Sequence, residues 1–265
     1  MEEKPLWNFE GGPGQVHAGA LQEFYDTMKD PMGRGINVFS IHQFHEAREL
    51  YDDTLEVIRK FLGIPAEYDM WFNDNASGWN FSSVGFNMTK SRDSVVNMLD
   101  NGYWAQKWAS HVEKTCNVHW VNPKIESLQC NELPDPSTWN VNPDGEAFLY
   151  IDNETSNGFH MQFPFKGYQP DHLAVDMCSS LGYYEMPFKD ISYGFHTVKK
   201  FGSMGGSLCV NFLSDEYKDW ETRDDCPEFL NWKKEMNWYG YKSPSYVGIY
   251  FTYLTYKHIS KDHNL

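Results

Sequence analysis

Apolar positions along the chain recur with two alternating periods. Within residues 43–62, Leu50, Leu55, Ile58 and Leu62 fall at helical spacing, and Gly63 with Pro65 supplies a stop signal. Residues 68–73 form a short apolar run that predicts a strand. The small polar turn Asp74-Asn75-Ala76-Ser77-Gly78 and a helix-like apolar run from Trp79 follow it. Residues 95–99 predict a second strand, ending at Asn101-Gly102-Tyr103-Trp104. Beyond it, Trp104, Trp108 and Val112 share one face of a predicted helix. Residues 147–151, 173–175 and 208–213 read as buried strands. A last helix is predicted over about 245–259, with Ile249, Tyr253 and Tyr256 on one side. Strands alternating with helices predict an α/β fold: a mostly parallel sheet with helices on both faces. Ligands of such sheets bind at the carboxyl ends of the strands, where each polar motif discussed below falls. The Pro-, Asn- and Ser-rich stretch 122–144 predicts a surface excursion rather than a linker, so residues 1–265 read as a single domain.

Composition narrows the function classes. Hydrophobic residues make up 41% and aromatic residues 17% of the 265, the balance of a globular chain. Against 37 Asp and Glu stand 22 Lys and Arg, a net charge of −15 that opposes binding to nucleic acid or anionic lipid. Five cysteines (Cys116, Cys130, Cys178, Cys209 and Cys226) form no CxxC pair, which argues against a disulfide framework or zinc ribbon and for a reducing compartment. The acidic opening MEEKPLWNFE resembles neither a secretory signal nor a transit peptide, and no apolar run approaches the length of a membrane span. A cytoplasmic protein without membrane insertion is expected.

The candidate chemistry centres on residues 192–206, SYGFHTVKKFGSMGG, and on Asp176 at the end of the apolar run LAV. A lysine on a short turn, paired with an aspartate closing an earlier strand, suits a pyridoxal phosphate site. The lysine would bond the cofactor aldehyde and the aspartate would hold the pyridine nitrogen protonated. An unpaired buried carboxylate costs several kcal/mol, so Asp176 needs such a partner.

Seven segments, in order, carry a resemblance to the phosphoserine aminotransferase family, class V aminotransferases of pyridoxal phosphate fold type I. Trp7-Asn-Phe-Glu-Gly-Gly-Pro13 resembles the family's NFNAGP opening, and Ser40-Ile-His-Gln43 its ISHR segment. Gly102-Tyr-Trp104 matches GYW, Asn153-Glu-Thr155 matches NET, and Val175-Asp-Met-Cys-Ser179 resembles ADMSS. Residues 197–205, TVKKFGSMG, resemble GAQKNLGPAG, and residues 241–250, YKSPSYVGIY, resemble YNTPPTFAIY. The resemblance implies that the chain is the large domain of such an enzyme, lacking the small C-terminal domain. It also implies that the chain works as a homodimer or as a subunit of a larger assembly, and that its cofactor is pyridoxal 5'-phosphate.

Carried over residue by residue, the resemblance makes Lys199 the Schiff-base lysine, with the adjacent Lys200 as the alternative. Asp176 becomes the pyridine partner, Trp104 the aromatic stacked on the ring, and Thr155 a hydrogen-bonding contact to the cofactor. Ala76 and Ser77 would offer backbone N–H groups to the phosphate at a helix start. Lys242 and Ser243 stand where the family's partner subunit completes that cradle, and Lys242 could pair with the phosphate or occlude the pocket. Other positions depart from the pattern. His42-Gln43 replaces the substrate-binding His-Arg pair, leaving His42 alone for that role, because an amide cannot reproduce a bidentate guanidinium. Val198 replaces a glutamine, and Asp74-Asn75 replaces glutamine and glycine. Three functions remain open on these residues. The first is amino transfer between glutamate and 3-phosphohydroxypyruvate in serine biosynthesis. The second is a catalytically inactive, family-derived subunit with an interaction role. The third is an altered pyridoxal phosphate enzyme such as a lyase. Trp220, Trp232, Trp238 and Tyr239 read as exposed aromatics that a partner or a further domain would cover.

Overall fold

The structure, a computed structural model, describes residues 12–41, 45–125, 133–161, 163–202, 208–217, 219–237 and 244–263. Its centre is a seven-stranded sheet. The strands are β1 (Asp69–Asn73), β2 (Val95–Met98), β3 (Asn117–Trp120), β4 (Gly145–Ile151), β7 (Leu173–Asp176), β8 (Tyr193–Thr197) and β9 (Cys209–Leu213). Two short strands, β5 (Asn153–Glu154) and β6 (Phe159–His160), pair separately as a small antiparallel ribbon. The main sheet runs in the order β1-β9-β8-β7-β4-β2-β3. All its strands point one way except β9, which is antiparallel to both β1 and β8. The carboxyl ends of β1, β2, β4, β7 and β8 therefore meet along one edge of the sheet.

Side chains alternate between two cores, as the period of a strand requires. Phe72, Phe148, Tyr150, Leu173 and Val175 face one core, closed by α1 (Ala18–Thr27), α2 (His45–Leu62) and α6 (Tyr246–Asp262). Trp71, Ala147, Leu149, Ile151 and Ala174 face the other, closed by α3 (Ala76–Asn87), α4 (Tyr103–Val112) and the short α5 (Trp232–Met236). Helix α2 shows how sequence sets this packing. Ala47, Leu50, Tyr51, Thr54 and Ile58 form its buried stripe, Glu46 lies in its first turn, and Arg59 and Lys60 in its last, each complementing the helix dipole. Gly63, at φ +65°, lets the chain leave the helix in a conformation that a residue with a Cβ adopts at a cost. Among the described residues no helix is long and apolar enough to cross a membrane.

Strand β8 runs from the middle of the sheet into the lysine turn. Two expectations need correction. Trp104 does not share the buried face of Trp108 and Val112; at the first turn of α4 it is 38% exposed. Trp232 is not an exposed aromatic. Its ring stacks on Tyr193 at 4.0 Å and its indole N–H donates to Ser83 Oγ at 2.9 Å, while Trp220 is half-buried beside it. Trp238 and Tyr239 lie outside the described residues.

Candidate active site

The carboxyl edge of the sheet opens into a cleft of about 230 Å3. Ala76, Ser77, Trp104, Thr155, Asp176 and Lys199 all line it, although they come from five separate segments of the chain. Lys200, Asn153, Ile151, Cys178, Ser179 and Thr197 complete the wall. Gln43 and His42, Lys242 and Ser243 lie outside the described residues, as does the segment 1–11.

Asp176 is the last residue of β7 and only 6% exposed. Its Oδ1 accepts the Cys178 N–H at 2.8 Å. Burial pushes its carboxyl up to about 6, a rise reinforced by the neighbouring Glu154 and Asp152 and opposed by the Cys178 hydrogen bonds. The charges that act on it are thus other acids, and a donor or cation arriving from the cleft would satisfy it.

Lys199 sits on the turn after β8, exposed to the cleft. The turn is pinned on two sides. Lys199 O accepts the Gly14 N–H at 2.8 Å. The fully buried His196 lies between two carbonyls, with Nδ1 3.2 Å from Met177 O and Nε2 3.0 Å from Phe201 O. It ties the lysine turn to the residue after Asp176, and burial lowers its pKa. A second tie joins the same strands: Thr197 N–H points to Cys178 Sγ at 3.4 Å. Gly202, at φ +100°, ends the turn against Val198. Lys200 is half-buried, and its Nζ lies 2.6 Å from where a Cβ on Gly12 would stand. Sequence reasoning passed over His196; the signal was a histidine inside an apolar strand, ambiguous without its two carbonyl partners.

Two helices aim their amino termini at this edge. Helix α3 begins at Ala76, whose φ of +54° is unusual for a residue with a Cβ, and its N-cap Asn75 makes no side-chain hydrogen bond to the helix. The first turn of α3, through Ala76 and Ser77, forms part of the cleft wall. The neighbouring Asp74 does not line the cleft. Its Oδ2 accepts the Ser245 N–H at 3.1 Å at the start of α6, so its charge is spent on a helix N-terminus. Helix α4 is capped from a distance. The buried Glu154 accepts the N–H groups of Trp104 at 2.8 Å and Ala105 at 3.4 Å through Oε2, and the N–H and hydroxyl of Ser156 through Oε1. Gly102, at φ +149°, allows this approach, since a Cβ there would lie 2.5 Å from Glu154 Cγ. The acid of Asn153-Glu154-Thr155 thus fixes the tryptophan of Gly102-Tyr103-Trp104 across the cleft.

No family model matches the chain. Among solved structures, it superposes on pyridoxal phosphate-bound phosphoserine aminotransferase from Trichomonas vaginalis with a TM-score of 0.87 at 22% identity, covering 96% of this chain and 75% of that one. It also superposes on the phosphoserine aminotransferase of Bacillus circulans subsp. alkalophilus with a TM-score of 0.82 at 17% identity, covering 96% and 70%. The fold is that of the large domain of a pyridoxal phosphate fold-type-I aminotransferase. In sequence the chain is 27% identical over 230 residues to phosphoserine aminotransferase of Coxiella burnetii, spanning 86% of this chain and 62% of that protein. It is 24% identical over 268 residues to the Drosophila melanogaster phosphoserine aminotransferase, spanning 96% and 69%. The resemblance read from the seven motifs is thus borne out across the chain, which is similar to phosphoserine aminotransferases in sequence and in fold.

Proposed function

We propose that the chain is a phosphoserine aminotransferase-like protein that binds pyridoxal 5'-phosphate in the cleft at the carboxyl edge of its sheet. One observation carries this reading: six residues chosen from motifs in five segments converge on that cleft. The donor set also fits the group. The cleft offers a helix N-terminus for a phosphate, a buried carboxylate whose charged neighbours are acids, an exposed amine and an indole at the mouth.

When bound, pyridoxal phosphate supplies an aldehyde that condenses with amines and a ring that accepts electrons. The chain's own residues would then divide the work. Asp176 would accept a hydrogen bond from the ring nitrogen and favour its protonated form; the ionised carboxylate, costly to bury alone, would gain its counter-charge. Lys199 Nζ would hold the cofactor aldehyde and could take up or give a proton. Trp104, held by Glu154 through its backbone, would contact the ring. The first N–H groups of α3 and the Ser77 hydroxyl would hold the phosphate. His196 keeps the lysine turn and the Asp176 strand at fixed separation. The overall reaction would pass an amino group from glutamate to 3-phosphohydroxypyruvate, giving phosphoserine and 2-oxoglutarate, with the homodimer as the working unit.

A second reading is a family-derived subunit that retains the fold without turnover. Val198 favours it: this residue is fully buried and carries no donor, where the family has a glutamine next to the lysine. Visible absorption of the purified protein with pyridoxal phosphate separates the two. Amino transfer predicts a long-wavelength band that Lys199→Ala abolishes and glutamate bleaches. A lysine-dependent band that no amino acid perturbs would establish the second reading, and a band that survives in Lys199→Ala would refute the assignment of the lysine.

A further inference from the structure

Beside the cleft lies a second hollow of about 370 Å3, lined by Asn153, His160, Ser179, Ser180 and Tyr183. Asn153 and Ser179 line both spaces, so a ligand seated in one can extend into the other. The β5–β6 ribbon sets this arrangement by pairing Asn153 with His160.

The histidine is backed by a buried carboxylate. Asp152, wholly buried at the end of β4, accepts the hydroxyl of Tyr150 at 3.1 Å and that of Tyr184 at 2.7 Å through Oδ1. Its Oδ2 lies at an ion-pair distance of 3.5 Å from His160 Nε2 and takes no hydrogen bond among the described residues. A carboxylate behind one ring nitrogen fixes the proton there and leaves Nδ1 for a ligand. The groups facing His160 are Asp152, the Tyr184 ring at 5.1 Å and the Tyr183 ring at 6.4 Å; Asp152 raises the imidazole pKa and so favours its cationic form. A second, independent feature points to a ligand. Ser180, a residue only 2% exposed, also lines the hollow, and its buried hydroxyl has no hydrogen-bond partner among the described residues, a deficit that buried polar groups rarely carry without reason.

We propose that this hollow is an anion subsite, taking the terminal carboxylate or phosphate of a short-chain organic acid whose reacting end lies in the neighbouring cleft. His160 Nδ1–H and the Ser180 hydroxyl donate to the anion. Among the described residues the side chains lining the hollow include no acid, because Asp152 is sealed behind the imidazole and two tyrosines, so the ligand meets donors rather than carboxylates. The extension into the cleft rests on the cofactor reading above; the anion subsite itself does not.

The test is titration of the cofactor-free protein with inorganic phosphate and, separately, with glutarate, following the His160 imidazole resonance by NMR and the affinity by calorimetry. Either probe is expected to shift that resonance and raise the His160 pKa. A response to phosphate alone would assign the subsite to a phosphorylated acid, and a response to glutarate alone to a dicarboxylate. His160→Gln and Ser180→Ala should each weaken binding, by about 10-fold for the charge-assisted bond to His160. Asp152→Asn should lower the His160 pKa and shift the binding optimum to lower pH while leaving the imidazole in place. An imidazole unmoved by either probe, or full affinity in the folded His160→Gln protein, would overturn the proposal. The lysine-dependent cofactor band would be unaffected by that failure. Conversely, loss of the cofactor reading would leave the phosphate and glutarate responses intact.

Discussion

Replacing Asp176 by asparagine should make the cofactor-free protein more stable at neutral pH and abolish tight retention of pyridoxal phosphate. The carboxyl group is buried, and its ordinary value near 3.9 is pushed up to about 6 in the fold. At 1.36 kcal/mol per pH unit, ionising it inside the cofactor-free protein costs about 3 kcal/mol at pH 7 relative to the unfolded chain. The sign follows from proton counting. Between roughly pH 4 and 6 the folded state holds a proton that the unfolded state has released, so this group's contribution to stability falls as pH rises through that window. Asparagine keeps an oxygen to accept the Cys178 N–H, now at 2.8 Å, and carries no charge to bury. The variant should therefore gain about 3 kcal/mol at pH 7, roughly 6–12 °C in Tm, and almost nothing at pH 4. Urea denaturation of both proteins at the two pH values, without cofactor, measures it. Other acids titrate equally in both proteins and cancel in the difference. Equal stability at pH 7, or a gain that persists unchanged at pH 4, would refute the claim that Asp176 is a strained carboxylate awaiting a partner. Added pyridoxal phosphate should reverse the order, stabilising the native protein and leaving Asp176→Asn unmoved.

Two further substitutions test the frame around the site. Gly85→Ala in α3 would place a Cβ 1.9 Å from Thr115 Oγ1, whose hydroxyl is itself buried and donates to Val112 O at 2.8 Å; overpacking should outweigh the better helix propensity and cost about 1–2 kcal/mol in urea midpoint stability. Glu154→Ala removes the acceptor for the first N–H groups of α4, so it should cost about 1–2 kcal/mol and also weaken pyridoxal phosphate binding, because Trp104 loses its anchor; unchanged affinity would show that the Glu154 contact does not position the indole.

Sequence and structure divide the protein in a physically intelligible way. The alternation of short apolar runs with helical stripes was enough to place β1, β2, β4, β7 and β9 and the helices α2, α3, α4 and α6, because each is a local periodicity with its own stop signals. Asp176 and Lys199 were identifiable at strand ends, where a parallel sheet gathers its ligand groups, whereas Ala76, Ser77, Trp104 and Thr155 came from the resemblance of their segments to phosphoserine aminotransferase motifs. Strand order, the antiparallel insertion of β9 and the burial of Trp232 were not legible, since they depend on which elements pair and not on any one element's pattern. The same holds for the frame of the cleft. Glu154 capping α4 across some fifty residues, Asp74 turned to the start of α6, and His196 held between two carbonyls are contacts between segments remote in sequence. The Asp152–His160 pair beside Ser180 belongs with them. A histidine and a serine twenty residues apart carry no motif, and only the packing of the small ribbon against the sheet edge brings them to one hollow.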